Sequence, residues 1–183
     1  MGKKTSQLSD RQIAFVKRQK LFFVATAAQT GSINLSPKGL DSLRVIDGQK
    51  VVWLNLTGSG NETAAHLLQN PRITLMFCAF EGPPQILRVY GRAKCFGPAT
   101  PQFENHYALF EEHVGARQIV EVEVDLVQSS CGFGVPLMDF KAERTELTDW
   151  ANKLGQSEIE AYQKKKNSRS LDGLKTDIED ASQ

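Results

Sequence analysis

The residues best suited to chemistry are glycines and small polar side chains gathered in one run, Thr57-Gly58-Ser59-Gly60-Asn61-Glu62-Thr63. The residues after this run predict a helix that ends before Asn70-Pro71. Free amides at a helix start, hydroxyl groups and glycines that permit close approach are typical of phosphate sites. The run has neither the Gly-Lys-Ser/Thr of a Walker loop nor a complete G-x-G-x-x-G. It predicts either a phosphate site or a helix start capped by Asn or Thr.

A second run, Asn34-Leu35-Ser36-Pro37-Lys38-Gly39, places a hydroxyl group and a lysine at the end of a predicted strand. Lysine is a good point charge for phosphate. Because proline has no N–H to donate to a neighbouring strand, we expect the strand to end or bulge at Pro37-Lys38-Gly39. The alternative is an ordinary strand exit with a solvated lysine.

One arginine, Arg88, lies in the otherwise apolar strand Ile86-Leu87-Arg88-Val89-Tyr90. An unpaired charge in such a strand would be costly. Arg88 is therefore expected either to pair with a carboxylate or to face a ligand.

No metal site is predicted. The three cysteines, Cys78, Cys95 and Cys131, form neither a C-x-x-C pair nor a Cys/His cluster at zinc spacing. Reduced and mostly buried thiols are the expected state.

The elements that must position these residues are mostly short strands. Alternating and β-branched segments predict strands near 21–26, 33–36, 43–46, 51–56, 72–80, 85–96 and 119–127, with helices near 9–19, 64–68 and 100–114. Gly91 inside one strand suggests a bulge or a close backbone approach. Many strands with few helices fit a mainly β, antiparallel barrel with short flanking helices better than repeated βαβ units.

The charge is divided unevenly along the chain. The 22 Lys and Arg nearly balance the 21 Asp and Glu, yet 17 of these 43 residues fall within 141–183. We therefore expect a barrel domain over 1–140 and a polar helical C-terminal extension over 141–183. The polar composition beyond Ser168 predicts an extended or partly disordered end.

The balance of charge also bears on partners. A net charge of +1 without a block of like charges argues against nucleic-acid binding and against a polybasic membrane anchor. The N-terminus has no signal-peptide pattern, and no window reaches the roughly 18 apolar residues that a membrane span needs. These features predict a cytoplasmic protein.

The order of the motifs carries a resemblance to a known family. The motifs follow one another in the order strand, N-L-S-P-K-G, hairpin, glycine run and helix, N-P-R-I-T-L-M-F, and then Q-I-L-R-V-Y-G-R-A. This order resembles that of the FMN-binding split-barrel family of pyridoxamine 5'-phosphate oxidase over roughly Leu21 to Val127. The joint presence of G-S-G-N-E-T-A-A-H-L, F-E-G-P-P and S-C-G-F-G-V-P resembles a bacterial branch of that family.

The resemblance implies an antiparallel split β-barrel that binds FMN at a homodimer interface. It assigns cofactor binding to the strand before Lys38, to the strand end near Thr57, to the helix start and to the later strand near Arg88. The implied cofactor-binding residues are Asn34, Leu35, Ser36, Lys38, Asn55, Thr57, Ser59, Asn61, Glu62, Thr63 and Arg88.

The chain departs from the oxidase at two places. The Arg-Lys pair that the oxidase has at the helix start reads Glu62-Thr63 here, so Lys38, Ser59, Asn61, Thr63 and backbone amides would hold the phosphate. The oxidase's C-terminal Trp and Arg-Leu motif has no counterpart after Trp150. Oxidation of vitamin B6 phosphates is therefore not expected.

The function that follows is an FMN-dependent oxidoreductase acting on a small-molecule substrate or reductant, since the cofactor carries the electron chemistry. The alternatives are a non-catalytic flavin or haem binding protein and a deazaflavin-dependent reductase on the same barrel. No catalytic residue is assigned. His66 is either a proton donor or a packed side chain, Cys131 a reactive or a buried thiol, and Phe133 a stacking partner of the flavin or a barrel plug.

Overall fold

The structure is a computed structural model that describes residues 3–178. The strands within these residues are β1 (Lys4–Thr5), β2 (Phe22–Ala27), β3 (Ile33–Lys38), β4 (Leu43–Val45), β5 (Lys50–Leu56), β6 (Arg72–Cys78), β7 (Ile86–Phe96) and β8 (Ala116–Ser130). The helices are α1 (Asp10–Arg18), α2 (Glu62–Gln69), α3 (Pro101–Tyr107), α4 (Glu146–Leu154) and α5 (Gln156–Lys166).

All the strands belong to one antiparallel sheet. Its order is β3-β2-β6-β7-β8-β5-β4, and β1 pairs with β8 outside this path. The two edges, β3 and β4, do not pair with each other, so the sheet forms a curled half-barrel. The predicted mainly β, split-barrel fold with short flanking helices is confirmed.

The larger hydrophobic cluster lies on one face of the sheet because side chains alternate along each strand, and a smaller cluster of Val52, Leu54, Phe103 and Ile119 lies on the other face. Phe22 packs edge-on against Trp53 with ring centroids 6.2 Å apart and stacks on Phe77 at 5.8 Å. Helix α1 adds Phe15 and Val16 to this core. It begins at a capping box, in which Ser9 and Gln12 satisfy each other's backbone amides.

The predicted bulge in β7 is present. The register between β7 and β8 shifts between Tyr90 and Gly91. A Cβ at Gly91 would overlap the carbonyl oxygen of Glu123 on the neighbouring strand. Only glycine fits this close backbone approach.

Strand β3 continues past Ser36 and ends at Lys38, within the segment Pro37-Lys38-Gly39 where its end was expected, and Pro37 lies opposite Phe23 of β2. A proline is tolerated because β3 is an edge strand and no strand on its other side needs an N–H donor. Helix α3 ends at Tyr107 rather than near 114, because the chain turns there and the Tyr107 hydroxyl accepts the amide N–H of His113 at 2.8 Å.

The C-terminal extension is helical as expected and contains α4 and α5, whose Trp150 and Tyr162 rings meet edge-on at 5.1 Å. Residues 168–178 lie against the barrel, where Asp172 accepts hydrogen bonds from the amide and hydroxyl of Ser32. The part of the expected disordered end that falls on 179–183 lies outside the described residues. Within residues 3–178, no helix has the length and apolar character to cross a membrane.

Candidate functional site

A pocket of about 270 Å³ opens between the edge strand β3 and the start of α2. It is lined almost wholly by polar side chains and by the glycine run. The lining residues are Asn34, Ser36, Lys38, Asn55, Gly58, Ser59, Gly60, Asn61, Glu62, Thr63 and Arg117. The pocket therefore contains eight of the eleven residues that the sequence nominated, and it adds Arg117.

Strand alternation explains how β3 serves this pocket. Asn34, Ser36 and Lys38 share one side of the strand and line the pocket. Ile33 and Leu35 point to the opposite side, where they are 78% and 65% exposed. One short edge strand thus presents a polar row to the pocket and an apolar row to the outside.

The glycine run supplies the floor of the pocket and the start of α2. Asn61 occupies the N-cap position, but its side chain makes no capping hydrogen bond. Its Oδ1 accepts a long hydrogen bond from Asn55 Nδ2 at 3.4 Å, while its own buried Nδ2 has no partner among residues 3–178. The first amides of α2 therefore have no side-chain cap at Asn61, and a helix start in this state favours an anion.

Two cationic side chains reach the pocket from different strands. Lys38 ends β3, and burial together with the nearby Arg117 charge lowers the pKa of Lys38 to about 8. Arg117, near the start of β8, is 3% exposed. Burial lowers the pKa of Arg117 to about 10, while Cys95, Asp177 and Tyr162 act in the opposite direction. Both shifts follow chiefly from the burial of positive charge, which disfavours the charged form.

Carboxylates do not neutralise these cations directly. Among the described residues, neither Lys38 nor Arg117 forms an ion pair with a carboxylate. Glu62 lines the pocket, but its two carboxylate oxygens accept the backbone amide of Leu171 at 3.0 and 3.1 Å. The Asp177 carboxylate accepts a hydrogen bond from Gln118. Burying unpaired cations is costly, so the arrangement is suited to a negatively charged ligand.

Asn34 is held in place by a buried network behind the pocket. Its Nδ2 donates to the hydroxyl oxygens of Thr26 and Thr63, each at 3.2 Å. His66 Nδ1 in turn lies 3.1 Å from Thr26 Oγ1. Because both donor positions of Asn34 are used, its Oδ1 is the atom left to accept a hydrogen bond from a ligand. His66 is fully buried and belongs to this network rather than to the pocket lining.

Three nominated residues lie outside the pocket lining. Leu35 faces the outer side of β3, and Arg88 lies on β7, where its Nη1 donates to Ser130 Oγ at 3.3 Å instead of pairing with a carboxylate. Thr57 is buried, and its hydroxyl donates to the carbonyl of Gly115 and accepts from Gln163. Leu35 and Arg88 share the outer face of the sheet through the pairings of β3, β2, β6 and β7.

In the loop after β8, the structure excludes one of the two alternatives for each residue. Cys131 is exposed and therefore not a buried thiol, and Phe133 is 81% exposed, so it does not plug the barrel. Within residues 3–178, no group of three or more His, Cys, Asp or Glu side chains is placed to hold a metal ion.

The sequence reasoning missed Arg117. This residue directly precedes the buried stretch of β8 in Gly115-Ala116-Arg117-Gln118-Ile119. As for Arg88, a charge next to a buried apolar strand is costly unless a partner or a ligand compensates it, and this reasoning applies equally to Arg117. No local motif, however, links Arg117 to a glycine run almost 60 residues earlier.

Comparison with solved structures supports the fold. HupZ of Group A Streptococcus superposes with a TM-score of 0.53 and 20% identity, over 65% of this chain and 91% of that chain. A pyridoxamine 5'-phosphate oxidase-like protein of Lactobacillus delbrueckii gives a TM-score of 0.55 and 19% identity, over 67% and 94% of the two chains.

Sequence comparison identifies the family. The pyridoxamine 5'-phosphate oxidase family protein ustO of Aspergillus flavus is 39% identical over 189 residues, which cover 91% of this chain and 74% of that protein. Since this relative is fungal, the placement in a bacterial branch stays a prediction. The family model for pyridoxamine 5'-phosphate oxidase matches residues 8–131, about the whole barrel. The chain therefore belongs to the pyridoxamine 5'-phosphate oxidase family.

Proposed function

We propose that this protein binds FMN and is an FMN-dependent oxidoreductase for a small-molecule substrate. The observation that carries the proposal is the pair of cations, Lys38 and Arg117, at the start of α2 without a carboxylate partner among the described residues. A phosphate group would compensate both charges and accept hydrogen bonds from the free amides of the helix start.

The polar atoms of the pocket fit this ligand. Arg117 Nε and Asn61 Nδ2 are buried donors without partners among residues 3–178. Leaving such donors unsatisfied costs about 1–3 kcal/mol each, and phosphate oxygens are acceptors that would satisfy them. Lys38, Arg117, Ser59, Asn61 and Thr63 would hold the phosphate.

The size of the pocket supports a role in binding one end of FMN. A volume of about 270 Å³ is below the usual range of complete small-molecule sites. The phosphate end would lie in the pocket, and the ring system would need additional surface beyond it. Asn34 Oδ1, left free by the Thr26 and Thr63 contacts, is the acceptor available to the rest of the ligand.

A second copy of the chain would supply the additional surface. Ile33 and Leu35 are exposed on the outer side of the strand whose inner side lines the pocket. Exposed apolar groups of this kind mark interaction sites. A homodimer formed through this face would also bury Arg88, so Leu35 and Arg88 would serve the site through the dimer rather than from within the pocket.

Bound FMN supplies the electron-transfer chemistry of its flavin ring. The chain itself has to hold the phosphate, orient the ring and leave one side open to the substrate. This division of labour is consistent with a pocket whose described residues are binding groups rather than an acid and base pair poised for hydrolysis.

The decisive experiment is an absorption spectrum of the purified protein, followed by mass analysis of the compound that heat releases. We expect a flavin spectrum, release of FMN, and a rise in melting temperature when FMN is added to stripped protein. A colourless protein whose melting temperature responds to neither FMN nor another flavin would overturn the proposal. A Soret band would indicate haem, and stronger competition by a deazaflavin than by FMN would indicate a deazaflavin reductase.

The dimer is tested separately by sedimentation velocity. We expect two copies per particle for the wild type and one for Leu35→Glu, because a charge would be buried at the interface. The control is Leu68→Glu, at a similarly exposed leucine of α2. A monomeric wild type, or a Leu35→Glu protein that remains dimeric, would contradict an interface at β3.

A further inference from the structure

The C-terminal extension contacts the back of the glycine run, although it lies more than 100 residues away in sequence. Gln163 Nε2 of α5 donates to Thr57 Oγ1 at 2.7 Å. The backbone amide of Leu171 donates to the Glu62 carboxylate. Between these two contacts, Asn167 reaches the run and Arg117 together.

Asn167 is fully buried, and each atom of its amide has a defined partner. Its Oδ1 accepts Arg117 Nη1 at 2.7 Å, and its Nδ2 donates to the carbonyl of Gly58 at 3.0 Å. This orientation is unambiguous, because a guanidinium can only donate and a backbone carbonyl can only accept. The backbone of Asn167 is itself fixed, since its N–H donates to Gln163 and its carbonyl accepts the Thr176 hydroxyl.

The contact with Asn167 determines which hydrogen-bond donors of Arg117 remain available to a ligand. Arg117 Nη1 donates to both Gly60 O, at 3.0 Å, and Asn167 Oδ1. Its Nε is buried without a partner among the described residues, and the side chain lines the pocket. An arginine anchored through one nitrogen keeps its remaining donors in a fixed plane, which lowers the entropy lost when an anion binds.

The same extension affects the one acidic side chain of the pocket lining. Glu62 stands at the helix start, where its charge opposes binding of an anion. The Leu171 amide binds both of its carboxylate oxygens and so draws them toward the extension. The C-terminal extension therefore contacts both Arg117, whose charge favours binding of an anion, and Glu62, whose charge opposes it.

We propose that Asn167 is a positioning residue for the cofactor, which holds the Arg117 guanidinium and the Gly58 carbonyl in the arrangement that binds the flavin phosphate. The inference rests on the proposed FMN binding and adds to it that the extension is part of the cofactor site. Lys38 and the Arg117 that Asn167 holds would supply the positive charge that Glu62-Thr63 lacks.

The test is titration of stripped protein with FMN and with riboflavin, which differs by lacking the phosphate. We expect Asn167→Ala to lower FMN affinity roughly 10-fold or more, as loss of a charge-assisted contact does, and to leave riboflavin affinity unchanged. Arg117→Met is expected to show the same selectivity. The matched control is Gln163→Ala, which removes another contact between extension and run but does not touch Arg117, and it should bind FMN as the wild type does.

A second variant keeps the test informative if Asn167→Ala fails to fold. Asn167→Asp retains an oxygen acceptor for Arg117, yet its negative charge would neutralise the guanidinium and compete with phosphate. We expect it to lose FMN affinity with riboflavin affinity unchanged, and to lower the salt dependence of FMN binding.

The outcomes separate this inference from the proposed function. A wild type that binds FMN and an Asn167→Ala protein that binds it equally well would overturn the inference alone. Equal losses for FMN and riboflavin would also overturn it, since they would show a purely structural role. A wild type that binds neither flavin would overturn the proposed function and this inference with it.

Discussion

The two ends of the β5–β8 strand pair are equally buried but chemically opposite. At one end Val51 pairs with Val122 and Trp53 with Val120, and all four are within the hydrophobic core. At the other end Asn55 pairs with Gln118, and both are buried with an amide contact of 3.3 Å between them. Thr57, just after β5, and Arg117, beside Gln118 on β8, are buried polar residues as well.

The contrast shows which end is built for stability. Burial of apolar side chains stabilises the fold, whereas burial of amides and cations costs free energy unless every polar atom finds a partner. The polar end leaves Arg117 Nε and Asn61 Nδ2 without one. A region that buries polar groups at a cost to stability is a candidate for ligand binding.

The largest expected effect lies at the apolar end. Trp53→Ala should lower the free energy of unfolding by about 3–5 kcal/mol, because it leaves a large cavity. Denaturant unfolding would measure this loss. Trp53→Phe is the control and should lose less, since the indole N–H of Trp53 has no partner among residues 3–178. A small loss for Trp53→Ala would contradict the assignment of this end to stability.

The next effect lies at the polar end and concerns binding. Lys38→Met should weaken FMN binding by about 1.5–3 kcal/mol through loss of the charge-assisted phosphate contact. Riboflavin affinity and folding stability should not fall, because a half-buried unpaired lysine stabilises neither. The control is Lys50→Met at the start of β5, where the lysine pairs with Glu121 at 3.3 Å far along the strand from the pocket. Unchanged FMN affinity in Lys38→Met would remove Lys38 from the site.

A third change separates structural from ligand-binding polar groups within the polar end. Thr57→Val removes the hydroxyl bonded to Gly115 O and Gln163 Nε2, and should cost about 1–2 kcal/mol of unfolding free energy. Because Thr57 does not line the pocket, FMN affinity should be unchanged. Thermal unfolding with and without FMN measures both quantities. A selective loss of FMN binding would return Thr57 to the site.

The smallest effect is a pH dependence of binding. The pKa of Lys38 is lowered to about 8, first by burial and then by Arg117, so this lysine loses its proton as pH rises through that value. FMN affinity should fall about tenfold between pH 8 and pH 9.5, and Lys38→Met should remove this dependence. The phosphate group does not contribute, because its second pKa is near 6.

Folding stability should respond to pH with the opposite sign. Since the lysine pKa is lower in the folded state, the unfolded chain binds more protons from about pH 8 to its ordinary value of 10.5. The contribution of Lys38 to stability therefore rises across that window as pH rises.

If a rise in pH weakens FMN binding equally in the wild type and in Lys38→Met, the titration that affects binding belongs to another group.

The sequence predicted most of the barrel and most of the pocket lining because both rest on local patterns. Alternation located the strands, and the glycine run marked the start of α2. The sequence placed the end of α3 near 114, whereas the helix ends at Tyr107, whose hydroxyl accepts the backbone amide N–H of His113. It could not decide the role of Thr57, because a buried structural hydroxyl and one that binds a ligand look alike in sequence.

The sequence by itself determined the family, the strand order along the chain and the run of small residues fit for a phosphate. Tertiary structure alone decided that Arg117 joins Lys38 in one pocket, and that Asn167 of the charged extension holds Arg117 in place. The physical reason is distance along the chain. Periodicity and turn chemistry act over a few residues, whereas the pairing of β8 with β5 and the packing of the extension join segments 50 to 109 residues apart.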